Sequence, residues 1–221
     1  MANAYVLAVA SHKGGTGRTT TALALASHWG RTGRRVTLVD AEPGRAAGLV
    51  AVGPDGSCSW PNVRYHDGLP DARDPALDAD LVVLDCPNLM STEARPALAL
   101  ADGALLTCVA DPLSLRTVPA AVGVRVAARA ANPRLELLGL AITVYNDTDS
   151  IQTPMLARLR QMHSDVLIEP PIPFDAAVRD WSLEPGSGLP PGPAADAYAA
   201  LAGALEACLP PGRLAATAGM L

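Results

Sequence analysis

The stretch SHKGGTGRTT, residues 11–20, decides the fold class of this chain. It follows a short apolar run, YVLAVAS (5–11), and leads into a helical pattern over 18–31. Its three glycines lack Cβ atoms, so the backbone can curl around a phosphate and point N–H groups inward, and the helix N-terminus adds favourable partial charge. A strand, a glycine-rich loop and a helix in this order predict a phosphate-binding loop.

Cations and hydroxyls give this loop its chemistry. Thr19 stands where a hydroxyl would ligate Mg²⁺, and Thr20 would lie near the phosphates. Arg18 holds the position that a phosphate-binding loop normally gives to lysine. The chain has 17 Lys and Arg residues, and every one except Lys13 is arginine, which indicates that the early lysine has its own task. The residues predicted to cradle the phosphates are Gly14, Gly15, Thr16, Gly17, Arg18, Thr19 and Thr20.

The composition is that of a protein with one large core. At 221 residues the chain is long enough for one well-buried domain and short for two. We expect that domain over residues 1–209, with a flexible tail over 210–221. The net charge of −5 argues against a strongly basic nucleic-acid binder, although a local basic patch can exist within an acidic total.

Neither the cysteines nor the apolar runs indicate export or a membrane. The four cysteines show no CxxC pair or metal-like spacing, and we expect Cys86 and Cys108 to be small buried hydrophobes. No apolar run reaches the ~18 residues of a membrane span. The apolar start of the chain runs straight into the glycines rather than into a cleavage site. We therefore expect a cytoplasmic protein.

Short apolar runs alternate with helical patterns along the chain. The runs are mostly continuous, which is typical of strands covered on both faces. The βαβα order predicts an α/β fold with a doubly wound, mainly parallel sheet, helices on both faces and ligands at the carboxyl ends of the strands. Strands are predicted at 5–11, 35–41, 80–87, 103–110, 137–146 and 165–173, helices near 18–31, 91–101, 114–132, 152–163 and 194–208, and loops at 53–62 and 184–193.

The segment KGGTGRTT resembles the deviant Walker A motif, KGGxGK[ST][ST], of the ParA/MinD superfamily of P-loop ATPases. Lys13 falls on that family's signature lysine, and Arg18 replaces its ordinary loop lysine. The resemblance implies that ATP and Mg²⁺ are the ligands and that two subunits sandwich two ATP molecules. It also implies that Lys13 reaches the phosphates bound by the partner subunit. The resemblance covers residues 4 to about 208, and only this first motif is highly specific.

Two acids at strand ends extend the resemblance. RRVTLVDAEP resembles the family's second motif, so Asp40 would help to position the attacking water and Mg²⁺, and the family's second acid is Glu42 here. DADLVVLDCPN resembles its Walker B segment, so Asp85 would hold Mg²⁺, mostly through water. The resemblance therefore implies catalytic roles for Lys13 and Asp40. A single Asp after a strand is usually a turn former, but two of them after such a loop favour function.

Two later segments resemble the family's base-binding region. LLGLAITVYN ends in Asn146, where the family often places an asparagine against the adenine ring. PIPFDAAVRDW resembles a loop in which a proline and an acid flank the base, which gives Pro173 and Asp175. As single residues, these types are equally ordinary turn formers.

Features absent from the chain favour small plasmid-type ParA partition proteins. No helix-turn-helix precedes the first strand, and PPGRLAATAGML lacks the basic amphipathic helix of membrane-docking members. This resemblance implies an ATP-dependent homodimer that binds nucleoid DNA non-specifically and positions plasmid, chromosome or other cargo. A ParB-like or cargo-adaptor protein would stimulate hydrolysis. The candidate DNA contacts are Arg125, Arg129 and Arg134, unless these arginines only form a solvated face.

Two other functions remain open. A metabolic synthase of the same superfamily, such as an ATP-dependent carboxylase or amidoligase, would turn over without DNA or a partner protein. A nucleotide-gated scaffold would dimerise without hydrolysis. Arg18 favours the scaffold, because a planar guanidinium is bulkier than an ammonium in the cradle between the β- and γ-phosphates. If the chain is an ATPase, we expect hydrolysis to be slow for the same reason.

Overall fold

The computed structural model describes residues 4–71 and 77–209, and the tail predicted at 210–221 lies outside them. The strands are β1 (Tyr5–Ala10), β2 (Val36–Asp40), β3 (Val63–Asp67), β4 (Leu81–Asp85), β5 (Gly103–Cys108), β6 (Glu136–Ile142) and β7 (Leu167–Ile168). The helices are α1 (Arg18–Arg31), α2 (Gly48–Ala51), α3 (Ala94–Leu100), α4 (Pro112–Ala131), α5 (Gln152–His163), α6 (Ala176–Arg179) and α7 (Pro193–Cys208), with a 3-10 helix at Asp180–Leu183.

The seven strands form one sheet in the order β3-β2-β4-β1-β5-β6-β7, and all their pairings are parallel. The chain moves outward from β1 to β2 and β3, returns to β4 and then continues on the other side through β5, β6 and β7. The strand order therefore reverses at β1. In an open parallel sheet this reversal opens a crevice at the carboxyl end of the central strand, and residues 11–17, the glycine loop, begin there.

Helices cover both faces of the sheet. Strands β1, β2, β4 and β5 are buried along their whole length, as their continuous apolar sequences predict. On one face, α1 and α7 supply Leu25, Trp29 and Leu201 to the core. On the other, α3 and α5 supply Leu98 and Leu156. The predicted doubly wound α/β fold is confirmed.

The structure corrects three strand predictions. β3 is missing from them, because VRYHD is an edge strand with only Val63 buried and has no apolar run. The strand predicted at 165–173 is reduced to β7, since Pro170 and Pro171 follow it and cannot donate to the ladder. β6 ends at Ile142 rather than 146, because Val144 takes a positive φ of 54°.

Two tryptophans fix the proline- and glycine-rich segment before α7. The rings of Trp60 and Trp181 stack with centroids 5.5 Å apart. Trp60 Nε1 donates to the Ser187 carbonyl at 2.7 Å, and Trp181 Nε1 donates to the same carbonyl at 3.0 Å. Gly186 N donates to the Val50 carbonyl at 2.7 Å. These bonds hold the loop that leads into the first turn of α7.

The described residues also bear on the membrane and cysteine predictions. Within residues 4–71 and 77–209, no helix combines the length and the apolar composition needed to cross a bilayer. The four cysteines are free, and Cys86 and Cys108 are buried as predicted. Burial raises the pKa of Cys108 to about 12.

Removing one ring of the tryptophan pair should destabilise the protein. Trp181 is 3% exposed, so Trp181→Ala leaves a cavity and removes one donor to the Ser187 carbonyl, and we expect a loss of about 3–5 kcal/mol in the free energy of unfolding. Urea denaturation followed by circular dichroism measures it. Leu183→Ala is the control, because Leu183 is 78% exposed and should change that energy by only about 0.5 kcal/mol. Equal losses in the two variants would contradict the stabilising role of the ring pair.

Candidate functional site

The glycine loop takes a conformation that suits glycine. Gly15 and Gly17 have φ values of +73° and +64°, in the left-handed region that L side chains rarely adopt. A Cβ on Gly14 or Gly15 would meet no atom within 4 Å, so this part of the loop faces open space. On Gly17 it would contact the Thr143 side chain at 3.4 Å. The loop therefore exposes its first two glycines and packs the third against the end of β6.

The first turn of α1 presents free donors beside this loop. The first helical hydrogen bond runs from Thr21 N to the Gly17 carbonyl at 2.8 Å. The N–H groups of Arg18, Thr19 and Thr20 thus precede the helical ladder and have no partner within it. Together with the positive end of the helix dipole, such groups favour an anion, above all a phosphate.

Thr16 anchors the glycine loop to β5 and to the residue that follows β6. It is buried, and its hydroxyl lies 3.1 Å from that of Thr107 on β5. Its carbonyl accepts a 2.7 Å hydrogen bond from Thr143 Oγ1. Since the hydroxyl is used inside the protein, the predicted contact between Thr16 and a ligand would have to come from its backbone N–H.

Lys13 is paired with an acid of its own chain. Its ammonium group donates to Asp111, which lies just before α4. The other oxygen of Asp111 accepts the Ser114 N–H at 2.7 Å. Partial burial opposes ionisation of Asp111, yet the hydrogen bonds from Lys13 and Ser114 hold the pKa of its carboxyl below the ordinary value. In this structure an acid of its own chain therefore neutralises Lys13.

Arg18 lies against the acids at the ends of β2 and β4. Its Nε donates to Asp85 Oδ1 at 3.2 Å, and its Nη2 donates to the Glu42 carboxylate. A longer contact of 3.5 Å joins Nη1 to Ser11 Oγ. Glu42 and Ser11 are therefore part of the site, although neither was among the predicted site residues.

Asp40 and Asp85 are register partners on the adjacent strands β2 and β4, and both are fully buried. Asp40 Oδ2 accepts hydrogen bonds from Gly48 N at 3.0 Å and from Tyr65 Oη at 3.4 Å. Burial raises the pKa of Asp85 to about 6, against the opposing effect of Thr19 and Arg18. Asp40 Oδ1 and Asp85 Oδ2 have no hydrogen-bond partner among the described residues.

This arrangement suits Mg²⁺ when phosphates accompany it. Two buried carboxylate oxygens lack partners within the described part of the chain, and Thr19 lies close enough to Asp85 to oppose the rise in the pKa of that carboxyl. Carboxylate and hydroxyl oxygens are the ligands that Mg²⁺ prefers. In the described ranges, however, no three His, Cys, Asp or Glu side chains converge closely enough to hold a metal ion. Phosphate oxygens and water would therefore have to complete the coordination.

A pocket of about 310 Å³ opens beside the loop. Pro173 and Asp175 line it together with Gly15, Gly17 and Thr20. Residues that the sequence did not single out complete the lining. These are Val144, Ile172, Phe174, Val178, Arg179, Ala194 and Tyr198. Phe174 lies inside the segment PIPFDAAVRDW, so its neighbours could have indicated it, whereas Tyr198 comes from the distant α7.

Asn146 does not line this pocket. It is exposed, and its Oδ1 accepts hydrogen bonds from Thr148 N at 3.1 Å and from Thr148 Oγ1 at 2.8 Å. The sequence around Asn146 forms a turn before α5, which is the ordinary use of asparagine in such a loop. Asp175 also caps a helix, since its Oδ1 accepts the Ala177 N–H at 2.9 Å at the start of α6.

The predicted DNA contacts lie away from the loop in sequence. Arg125 and Arg129 belong to α4, but their side chains lie outside what the structure describes. Arg134 is exposed just after α4. Arg158 is exposed on α5, which packs beside α4.

Comparison with known proteins identifies the family. Residues 7–184 match the CobQ/CobB/MinD/ParA nucleotide binding domain, so the chain belongs to this family. The chromosome-partitioning ATPase Soj of Thermus thermophilus is 30% identical over 89% of this chain and 93% of Soj. The predicted family membership is thereby confirmed.

Solved structures share the fold at lower identity. Cobyrinic acid a,c-diamide synthase from Mycobacterium smegmatis, with bound ATP analogue and magnesium, matches with a TM-score of 0.74 and 22% identity, over 92% of this chain and 94% of that one. The cell division ATPase MinD of Pyrococcus furiosus matches with a TM-score of 0.69 and 22% identity, over 95% and 100%. Both support the fold alone.

The raised pKa of Asp85 predicts a pH-dependent stability. Because its pKa is about 6 in the folded chain against an ordinary value of 3.8, the folded form binds this proton more tightly than the unfolded form. The contribution of the protonated carboxyl to stability is therefore lost as the pH rises from about 4 to about 6. Asp85→Asn cannot ionise, so its unfolding free energy relative to wild type should increase over that range and stay constant above it.

Urea denaturation at several pH values tests this, with Asp147→Asn at an exposed position as the control. If the difference in unfolding free energy between Asp85→Asn and wild type stayed constant across that range, burial would not raise the pKa of this carboxyl.

Proposed function

We propose that this member of the CobQ/CobB/MinD/ParA family is a ParA-like ATPase. Binding of ATP and Mg²⁺ produces a sandwich dimer that holds DNA non-specifically, and hydrolysis releases it. A ParB-like or cargo-adaptor protein stimulates hydrolysis, so that plasmid, chromosome or other cargo is segregated or positioned. The similarity to Soj over nearly the full length of both chains supports this proposal.

The observation that carries the proposal is the position of Lys13. The single lysine of the chain lies in the glycine loop, and its ion pair is with Asp111 rather than with the acids near Thr19. Its side chain is 23% exposed. A cation on the rim of its own loop is suited to reach phosphates that a second subunit presents, once it leaves Asp111. We assign it that role.

We assign each of the remaining site residues to one part of the magnesium nucleotide. The exposed backbone at Gly14 and Gly15 and the N–H groups at the start of α1 hold the phosphates. Thr19 and Asp85 would hold Mg²⁺, Asp85 mostly through water, and Asp40 would position the attacking water. When bound, Mg²⁺ neutralises phosphate charge and orients the reacting groups. The pocket lined by Pro173 and Asp175 takes the adenine ring, and Asn146 would have to turn away from Thr148 to join it.

Exposed apolar side chains near Lys13 support a dimer face. Met90, in the loop after β4, is 68% exposed, and Leu113, two residues beyond Asp111, is 52% exposed. Both follow the carboxyl ends of central strands, the same edge of the sheet as the glycine loop. Contiguous exposed apolar surface favours a protein interface, and we propose that these two side chains contribute to one. A two-fold dimer would bury each set against its counterpart.

DNA binding is proposed for the helical face that carries α4 and α5. Arg134 and Arg158 are exposed there, and Arg125 and Arg129 belong to α4. Arginine contacts to DNA phosphates give sequence-independent affinity that falls as salt rises. A dimer presents the set twice, so modest affinity from each subunit is sufficient.

A non-hydrolysing scaffold is the second candidate. It is favoured by the contacts of Arg18 with Asp85 and Glu42, because a guanidinium held by these acids does not stabilise charge on the phosphates. Such a protein would dimerise on ATP but release it unchanged. ATPase activity that rises with DNA or with a partner protein separates the two candidates.

The proposed role of Lys13 predicts that dimerisation depends on its side chain. Lys13→Ala should abolish ATP-dependent dimerisation in sedimentation velocity while retaining much of the nucleotide binding, which depends on backbone N–H groups of the same loop. Fluorescence titration with a labelled ATP analogue provides the control for an intact site. If the variant still dimerises with ATP and Mg²⁺, the lysine does not act on the partner's phosphates.

The proposed DNA surface predicts that DNA affinity depends less on salt when one of its arginines is removed. Arg134→Ala should weaken retardation of unrelated duplexes by the ATP-bound protein equally across sequences. It should also reduce the slope of log affinity against log salt by about 1 for each phosphate that the arginine no longer neutralises. Arg31→Ala is the matched control, since Arg31 is exposed at the end of α1 on the other face of the sheet. Equal effects of the two variants would contradict this surface.

A further inference from the structure

The guanidinium of Arg18 occupies a position that matters for the metal ion. It is 12% exposed and contacts the fully buried carboxylate of Asp85 and the carboxylate of Glu42. Asp40 lies beside Asp85 in register and adds a third carboxylate. Arg18 thus pairs with two of these three acids. Lys13 does not relieve this excess of negative charge, because it is paired with Asp111.

Arg18 cannot pair with these acids and with bound phosphates at the same time. Phosphates at the start of α1 would attract the guanidinium, since charge-assisted bonds from arginine to phosphate are among the strongest in proteins. If Arg18 moved to them without replacement, Asp85 would remain buried without a cation, a strongly destabilising arrangement. A divalent ion beside Asp85 removes that cost. The movement of Arg18 and the arrival of the metal ion are therefore coupled.

We propose that Arg18 and Mg²⁺ exchange places beside Asp85, and that Glu42 controls this exchange. In the nucleotide-free chain the guanidinium neutralises both carboxylates. When ATP binds together with Mg²⁺, Arg18 would leave Asp85 for the phosphates, and Asp85 would then face the ion. Glu42 is the positioning residue of this exchange, because it holds the guanidinium at the acids until the ion arrives. The proposal rests on the proposed function only in that the ligand is a magnesium nucleotide.

The chemistry of guanidinium explains why glutamate suits position 42. Arginine presents its donors as a rigid fork, and here Nε and Nη2 each contact a different carboxylate. An ammonium at position 18 would be a single point charge on a side chain without this fork. It could not hold both acids in the same way, so Arg18→Lys should weaken the coupling between metal and nucleotide.

The exchange makes nucleotide binding strongly dependent on the metal ion. The measurement is the dissociation constant of a fluorescent ATP analogue, with Mg²⁺ and with EDTA, for wild type, Glu42→Gln and Arg18→Lys. We divide the dissociation constant in EDTA by the constant with Mg²⁺. This ratio should fall on the order of tenfold in Glu42→Gln, a difference of about 1.4 kcal/mol. The change should come from tighter binding in EDTA, because Arg18 is then released more easily. We expect a smaller fall in the same ratio of dissociation constants for Arg18→Lys. Glu184→Gln is the control at an exposed loop position.

A double-mutant cycle separates exchange from simple repulsion between Glu42 and the phosphates. In an Arg18→Ala background, Glu42→Gln should no longer tighten binding in EDTA, because no guanidinium remains to be released. An equal gain in both backgrounds, or a ratio unchanged by Glu42→Gln, would overturn the exchange. Wild-type protein that binds no nucleotide in either condition would overturn the proposed function as well, whereas binding that is independent of Mg²⁺ would overturn the exchange alone.

Discussion

The ion pair between Arg18 and Asp85 connects the glycine loop to the centre of the sheet. Asp85 is fully buried, and burial raises the pKa of its carboxyl to about 6 despite the neighbouring guanidinium. A buried carboxylate of this kind does not favour folding, and single removal of its partner would leave an uncompensated charge. The surrounding apolar strands must therefore stabilise the fold well enough to retain this buried acid. Sites with strongly perturbed acids are often functional for this reason.

The strand order explains why these groups meet. β1 lies between β4 and β5, and β4 lies between β1 and β2. The glycine loop after β1, Asp85 at the end of β4 and Asp40 at the end of β2 consequently share one edge of the sheet. The loop also rests on Thr107 of β5 and on Thr143 after β6. A phosphate site between these strand ends is therefore a consequence of the topology as much as of the glycines.

Much of this architecture is readable from the sequence because its signals are local. The limits of α1 and α5 agree with their periodic patterns, and the buried strands β1, β2, β4 and β5 agree with their continuous apolar runs. β3 could not be recognised, since an edge strand with polar side chains has no such run. The early end of β6 depends on the positive φ of Val144, a β-branched residue for which no local rule predicts that conformation. The sequence suggested candidate site residues but not their partners, because the contacts of Lys13 with Asp111 and of Arg18 with Glu42 join segments distant in sequence.

Subunit complementation tests the central claim most directly. Lys13→Ala chains keep the loop that binds nucleotide but lack the lysine, whereas Thr19→Ala chains keep the lysine but lack the predicted Mg²⁺ ligand. Each variant alone should fail to associate with ATP and Mg²⁺. Mixed in equal amounts, they should recover ATP-dependent association between unlike subunits, because one complete site is assembled from both. Failure of the mixture to associate, while wild-type chains do so, would contradict a lysine that acts across the dimer.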